Sequence, residues 1–274
     1  MNRIFILSIF ALFLFSCTPV VREYKQLKSR ETRKTYATGK LPVYSGDSLR
    51  HILFPVGGIG TGDILIGGRG DIRELEIFGR ADLDELPPYM TFFSLWMQTR
   101  QMEEGIPVEN PPVVKILEGR LPDDYPNPFG VPRQQLAGMP RFEQARFTGK
   151  YPFANIQLVD KQVPLNIQLE VFNPLIPLDP DNSSLPASIF IWHIANPGKE
   201  EVEFSVLLSI SNPFQPEHDP YSGRSSSGAV RDLDIEGYNG FIFNSTQEAP
   251  VSKQGELTVA SLPEAQTQSF LVYT

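Results

Sequence analysis

Asn155 to Val171, NIQLVDKQVPLNIQLEV, is the stretch that decides the fold. Val163, Leu165, Ile167, Leu169 and Val171 alternate with Pro164, Asn166, Gln168, Glu170 and Phe172. Successive side chains of a strand point to opposite faces, so this period of two puts one face on a core. Asn155 to Asp160 reads as the preceding strand and Lys161-Gln162 as the turn of a hairpin. Downstream, Ala187 to Ala195 predicts another strand, and Asn196-Pro197-Gly198 turns it into Val202, Phe204, Val206, Leu208 and Ile210, again alternating. Upstream, Thr91 to Gln98 (TFFSLWMQ) and Pro112 to Gly119 (PVVKILEG) predict strands. Pro122, Pro126, Pro128, Pro132 and Pro140 predict a long loop from Arg120 to Gly149, because proline has no N–H for a ladder or a helix. Ser211 to Ala229 is polar and predicts a second loop. Phe241 to Phe243, Leu257 to Leu262 and Ser269 to Tyr273 complete the strands. No window of twelve residues carries a helical period. The expected fold class is all-β, an antiparallel β-sandwich over residues 46–274.

The second informative stretch is Phe54 to Gly79, FPVGGIGTGDILIGGRGDIRELEIFG. Seven of the 21 glycines fall between Gly57 and Gly70, at Gly57, Gly58, Gly60, Gly62, Gly67, Gly68 and Gly70. A dinucleotide fingerprint needs G-x-G-x-x-G at the start of a helix. Gly58 and Gly60 fit, but Asp63 takes the third position and no helical period follows. A P-loop needs Gly-Lys-Ser/Thr, and the block has no lysine. The remaining reading is two short strands joined by glycine turns, where the backbone adopts positive φ or meets another chain segment closely.

Residues 1–16 form a signal peptide: Arg3, then the apolar run Ile4 to Phe15, too short for a membrane span of about 20 residues. Leu14-Phe15-Ser16-Cys17 resembles a bacterial lipoprotein signal, in which Cys17, the single cysteine, is lipidated. A plain secretory signal with an incidental cysteine is the alternative. The expected location is the bacterial cell envelope, periplasmic or surface-facing. Residues 17–45 then read as a basic linker, too polar to order itself, able to reach roughly 30 Å and to lie on anionic head groups. From Leu41 onward 16 of the 24 Lys and Arg stand against 30 of the 32 Asp and Glu, a net charge of −14. That excludes a nucleic-acid partner, which needs a basic face.

Candidate chemistry is sparse. Hydrolysis of a glycoside needs two carboxyl groups at a set separation. Glu74 and Glu76 share one face of a predicted strand, and Asp82, Asp84 and Glu85 form an acidic loop; solvated faces account for both. Asp232 to Gly237 (DLDIEG) resembles half a calcium loop, but Phe243 stands where the bidentate glutamate belongs. His51, His193 and His218 have no metal spacing, so neither a metal nor a cofactor is expected. Trp96 and Trp192 could stack on a sugar ring or pack in the core. Arg69-Gly70-Asp71 matches an adhesion tripeptide, a short and unspecific pattern.

Two blocks together carry a resemblance. One is Gly57-Gly58-Ile59-Gly60-Thr61-Gly62 with Gly68-Arg69-Gly70-Asp71. The other is Leu165 to Phe190, LNIQLEVFNPLIPLDPDNSSLPASIF, preceded by Gly149-Lys150-Tyr151-Pro152. They resemble the N-terminal domain of glycoside hydrolase family 116, the bile-acid β-glucosidase or non-lysosomal glucosylceramidase type. Glu170, Phe172, Pro174, Ile176, Pro177, Leu178, Ser183, Ser184, Leu185 and Pro186 match the family pattern; Val171, Asn173, Leu175 and Asn182 depart from it, as do Gly68 and Leu75, where many members carry tryptophan. The resemblance implies a β-sandwich that precedes an α/α-barrel bearing the catalytic glutamate and aspartate, so no catalytic residue falls in this chain. Gln268 to Thr274 reads as a strand without a closing turn, which suggests that the natural chain continues into that barrel. The expected partners are the chain's own C-terminal catalytic domain, a glycoside or glycolipid substrate, and a membrane through the lipid anchor. Gly57, Gly58, Gly60, Gly62, Gly68 and Gly70 would face that domain and stay exposed without it. The alternative is a surface lipoprotein that binds carbohydrate without catalysis.

Overall fold

A computed structural model describes residues 41–76, 91–120, 138–210, 212–214, 229–245 and 255–261. The chain divides into two units at Leu41/Pro42, and all the described strands belong to the second. The signal peptide, Cys17, most of the linker, the Asp82–Glu85 loop, His218 and the strand read at Gln268–Thr274 lie outside the described residues.

The alternating stretches form the first five-stranded sheet, in the order β1-β9-β10-β11-β12. Its members are β1 (Tyr44–Ser45), β9 (Gln144–Lys150), β10 (Phe153–Val159), β11 (Asn166–Phe172) and β12 (Ile189–Ala195). Every pairing in it is antiparallel. Ala145, Phe147, Ala154, Ile156, Leu158, Ile167, Leu169 and Val171 are buried on one face, as the period of two requires.

The second five-stranded sheet runs β13-β5-β7-β8, with β6 beside β5. It contains β5 (Phe92–Glu103), β6 (Ile106–Glu109), β7 (Val113–Gly119), β8 (Arg141–Phe142) and β13 (Glu201–Ser209). The β7–β8 pair is parallel; the others are antiparallel. Glu104 and Gly105, both at positive φ, close the β5–β6 hairpin, the backbone that a tight primed turn demands. Leu95, Met97, Leu117 and Phe142 join the inward residues of the first sheet in one apolar cluster.

Two three-stranded sheets complete the fold. The glycine block supplies β2 (Leu53–Val56), β3 (Asp63–Gly67) and β4 (Ile72–Glu76), short strands joined by glycine turns as read, but three rather than two. The other sheet is β14 (Ala229–Asp232), β15 (Asn239–Asn244) and β16 (Glu256–Ser261). One short helix, α1 (Pro180–Ser183), follows β11. The described residues are thus mostly β-strand, paired antiparallel with one exception.

Four details differ from the sequence reading. The β10–β11 loop spans residues 160–165, longer than Lys161-Gln162 alone. The Asp160 carboxylate accepts from the N–H of Gln162 (2.9 Å) and of Glu143 (3.1 Å) and pairs with Lys115 Nζ (2.9 Å), which holds the loop open, while Pro164 has no N–H to extend the ladder. Burial favours the protonated acid, but these donors outweigh it and keep Asp160 below the ordinary carboxylate range. Second, Asn196-Pro197-Gly198 does not close a hairpin: β12 pairs with β11, whereas β13 pairs with β5, so the chain crosses from one sheet to the other. Phe204, at the free edge of β13, is left exposed instead of buried. Third, β8 and β9 lie inside the predicted Arg120–Gly149 loop. Fourth, β6 and β14 fall where the sequence predicts no strand, and β1 falls at the end of the 17–45 segment read as linker, where Tyr44 and Ser45 pair with β9. The apparent calcium half-site is the β14–β15 turn, closed by Leu233 N–H to Gly240 O (2.9 Å) and Tyr238 N–H to Ile235 O (3.1 Å).

Candidate functional site

The structure brings the two family-like blocks into contact. The turn after β2 carries Gly57 to Gly62, and the segment after β11 carries Asn173 to Ser188. Ile59 N–H donates to Ser183 O (2.9 Å), and Ser188 Oγ donates to Val56 O (2.6 Å). A Cβ placed on Gly58 would collide with the carbonyl of Leu185, so glycine is what lets the two backbones touch.

The 173–188 segment is braced from within. Asp179 caps α1, accepting from Asn182 N–H (3.1 Å) and Asn182 Nδ2 (2.6 Å). These bonds favour the carboxylate and hold Asp179 below its usual range. The Ser183 hydroxyl meets both Ile176 N–H (2.9 Å) and Ile176 O (3.0 Å). Leu178, between these anchors, is held at φ 69° and is fully exposed. A leucine in the left-handed region costs about 1–2 kcal/mol, and exposing it forgoes the compensation of burial. Ile59, Tyr151, Phe153, Ile176 and Leu185 are also exposed apolar side chains, carried on these two segments, on the β9–β10 turn and at the start of β10. Exposed apolar surface of this kind marks contact sites.

The expectation that the glycine block lies open is not met. Gly57, Gly58, Gly67, Gly68 and Gly70 are buried, Gly62 is half-buried, and Gly60 is exposed at φ 74°. The cover comes from this domain. A Cβ on Gly68 would lie 2.6 Å from Leu49 O, and one on Gly70 would touch Leu117 O and Ile156. Only Ile59, Gly60 and Thr61 of the turn reach solvent fully.

Beneath the block sits a buried charge network that the sequence did not announce. Asp71 accepts from Arg69 Nη2 (2.8 Å) and Arg73 Nε (3.0 Å). Glu118 pairs with Arg141 Nε (3.0 Å) and lies 3.6 Å from Arg69 Nη1. Arg69 Nη1 also donates to Gly119 O (2.9 Å), and Gly119 N–H donates back to Arg69 O (2.9 Å), so the glycine loop is stitched to the end of β7. Arg69-Gly70-Asp71 is therefore structural and out of reach of an adhesion receptor. A clue was available: three charges at 69, 71 and 73, every second residue, would line one face of a strand-like segment.

Asp63 and Glu76 stand opposite each other on β3 and β4 and their side chains are hydrogen-bonded. Burial raises Asp63, with the bond to Glu76 partly opposing; burial, then the charge of Asp63 and the shared bond, raises Glu76 above its ordinary 4.5. A raised acid stabilises the fold fully below its unfolded value and loses that contribution as pH rises through the folded one. Glu76→Gln keeps a hydrogen bond and removes the second charge. It should raise stability at pH 7 by about 0.5 kcal/mol, the scale of a cross-strand pair, and flatten the pH dependence from about 4.5 upward; urea midpoints across that range check it. The pair is too close for a retaining glycosidase, whose carboxyls stand about 5–5.5 Å apart.

The other residues singled out in the sequence stay apart. Trp192 faces inward and meets the Phe93 ring edge-on (centroids 5.4 Å). Trp96 is half-buried on the opposite face of β5 from Leu95 and Met97. His51 is exposed; His193 faces outward and bonds Glu170 (2.9 Å). Glu74 is half-buried rather than solvated. Among the described residues no three His, Cys, Asp or Glu side chains gather to hold a metal ion.

The comparison with known families covers both blocks. The family model described as "beta-glucosidase 2, glycosyl-hydrolase family 116 N-term" matches residues 54–273, a span that contains the glycine block, the 173–188 segment and both five-stranded sheets apart from β1. The chain belongs to the glycosyl-hydrolase family 116 N-terminal domain family.

Proposed function

We propose that this domain is the non-catalytic N-terminal β-sandwich of a membrane-anchored retaining β-glucosidase of the glucosylceramidase-like type, with a lipid on Cys17 and the catalytic carboxyl groups on a following barrel. The two five-stranded sheets are its two layers. The observation that carries this reading is the exposed apolar rim built where the family-like blocks meet, with Leu178 held in a strained conformation at its tip. Strain in an exposed apolar residue is retained where a partner rewards it. The partner is the protein's own catalytic domain, and the rim docks on it through Ile59, Ile176, Leu178 and Leu185. The substrate class is a β-glucoside or glucolipid presented at the membrane.

The test uses the two-domain protein. It should hydrolyse an aryl β-glucoside, and an inert protein with an intact barrel overturns the reading. Leu178→Asp should weaken docking by at least about 1 kcal/mol, as loss of an interface anchor does, and split one thermal unfolding transition into two. In the 274-residue chain alone the same substitution should leave stability unchanged or slightly higher, because aspartate tolerates the left-handed region better than leucine. A destabilised single domain would assign Leu178 to the domain's own packing.

A further inference from the structure

We propose that Gln268–Thr274, the strand that the sequence places after β16, pairs antiparallel with the outer edge of β12 and closes the side of the sandwich between β12 and β13. The first sheet then has a sixth strand, and the chain leaves the domain beside the apolar rim.

That side is open among the described residues. Phe93 of β5 meets Phe190 and Trp192 of β12 (centroids 5.7 and 5.4 Å), so β12 lies over β5. β7 lies against β9 and β10, so the first sheet extends over β7, and on the other side β13 projects beyond β12. The inward face of β13 shows the consequence. Phe204 stands opposite Met97 and shares its face, yet Met97 is 2% exposed and Phe204 42%. On β12 the inward residues Phe190, Trp192 and Ile194 are half-buried, while their neighbours on β11, Val171, Leu169 and Ile167, are fully covered.

No described strand pairs with the outer edge of β12 or of β13, but the two edges differ. β13 carries Glu201 and Glu203, and charges guard an edge against pairing. β12, IFIWHIA, has no lysine, acid or proline, and Ile191 on its outer face is exposed. A long apolar edge without such guards is a pairing site.

The chain itself supplies the strand. Residues 77–90, 121–137, 215–228 and 246–254 are broken by prolines, acids or polar runs, whereas Gln268–Thr274 (QSFLVYT) is apolar from Phe270 to Tyr273. It has seven residues, as β12 has. Phe270 and Val272 fall on one face and Leu271 and Tyr273 on the other; one pair covers Phe204 and the other lies beside Ile191. The family match runs to residue 273, past the end of β16 at Ser261, so the segment belongs to this domain. Antiparallel pairing follows the rest of the first sheet. It carries the chain from Ala195 toward Ile189, which follows directly on the 173–188 segment, and so delivers Thr274 to the rim. That a catalytic domain docks there rests on the reading above; the pairing does not.

The experiment cross-links the 274-residue chain with a short bismaleimide in a Cys17→Ser background, which removes the single cysteine. Ala187 and Lys199 are exposed and flank the two ends of β12. Thr274→Cys should link to Ala187→Cys and not to Lys199→Cys. A link to position 199 alone, or to neither, overturns the proposal. So does a link that forms only between two single-cysteine chains, which assigns the edge to a second copy. Removal of residues 264–274 should speed amide exchange in β12 about tenfold or more, as loss of a covering strand does. With Trp96→Phe, which leaves Trp192 as the only emitter, it should shift the emission to the red. Unchanged exchange and emission in a folded truncated chain also overturn the pairing; if that chain fails to fold, the cross-links decide. None of these readouts needs hydrolysis of a glucoside, so the pairing and the hydrolase reading fail separately.

Discussion

Asp71→Ala should destabilise the domain by about 3–5 kcal/mol, the scale for removing one partner from a buried ion network. Asp71 is fully buried and lies between Arg69 and Arg73, whose side chains are nearly as buried. Its removal leaves two guanidinium groups crowded in low dielectric, with Glu118 shared between Arg141 and Arg69. The cost comes from uncompensated charge, so Asp71→Asn, which keeps the shape and loses the charge, should also be severe. Acid should act in the same way. Burial pushes Asp71 toward the protonated form, but the two guanidiniums outweigh it and hold its carboxyl below the ordinary 3.8. A depressed acid gives stability that is present above the unfolded value and lost as pH falls through the folded one. The wild-type domain should therefore lose stability below about pH 4, and Asp71→Ala should show less of that loss. Urea unfolding from pH 7 down to acid checks both; a cost under about 1 kcal/mol at pH 7 would mean that the arginines find other relief.

The second large effect is at Gly58. Gly58→Ala should cost about 3 kcal/mol, the upper range for forcing extra atoms into a packed site. The new methyl would run into the Leu185 carbonyl oxygen and lie 2.6 Å from Thr61 Oγ1. The first is backbone and cannot swing aside, so the turn and the 173–188 segment must separate and strain the Ile59 N–H to Ser183 O bond. Gly60 gives the control. It has open space around a Cβ but sits at φ 74°, so Gly60→Ala pays only the conformational term, about 1 kcal/mol. Equal losses in the two variants would show that backbone conformation, not the approach of the two blocks, governs this turn. Thermal unfolding of both decides it.

The strands were legible where one face is apolar and the other polar. Ile156 to Leu169 shows this, and β10 and β11 form as read. The β9 strand was hidden because its apolar positions are only Ala145 and Phe147, set close to Pro140 and Pro152, and proline-rich flanks outweighed a two-residue alternation. The crossing at Asn196-Pro197-Gly198 was not legible for a different reason. A turn signal fixes local backbone direction, whereas which sheet receives β13 depends on β5, about 100 residues earlier. The glycine block was readable as strands and turns from its own composition. Its burial was not, because the atoms that cover it come from Leu49, Leu117, Ile156 and Leu185. The charge network escaped for the same cause: Glu118 and Arg141, which complete it around Arg69, Asp71 and Arg73, come from two other strands.

The crossing between sheets also orders the birth of the fold. The first sheet from β9 through β12 is built from neighbours in the chain, whose pairings need only short loop closures. In the second, the outer edge of the twelve-residue β5 stays unpaired until β13 arrives, with Glu201 opposite Arg100. A chain made from its N-terminus carries that open edge through the synthesis of about 100 further residues, several seconds or more at cellular rates of translation. An edge of this length is a template for pairing with another molecule. The nascent chain is thus most exposed to aggregation, and most in need of a chaperone, in the interval between Glu103 and Ser209.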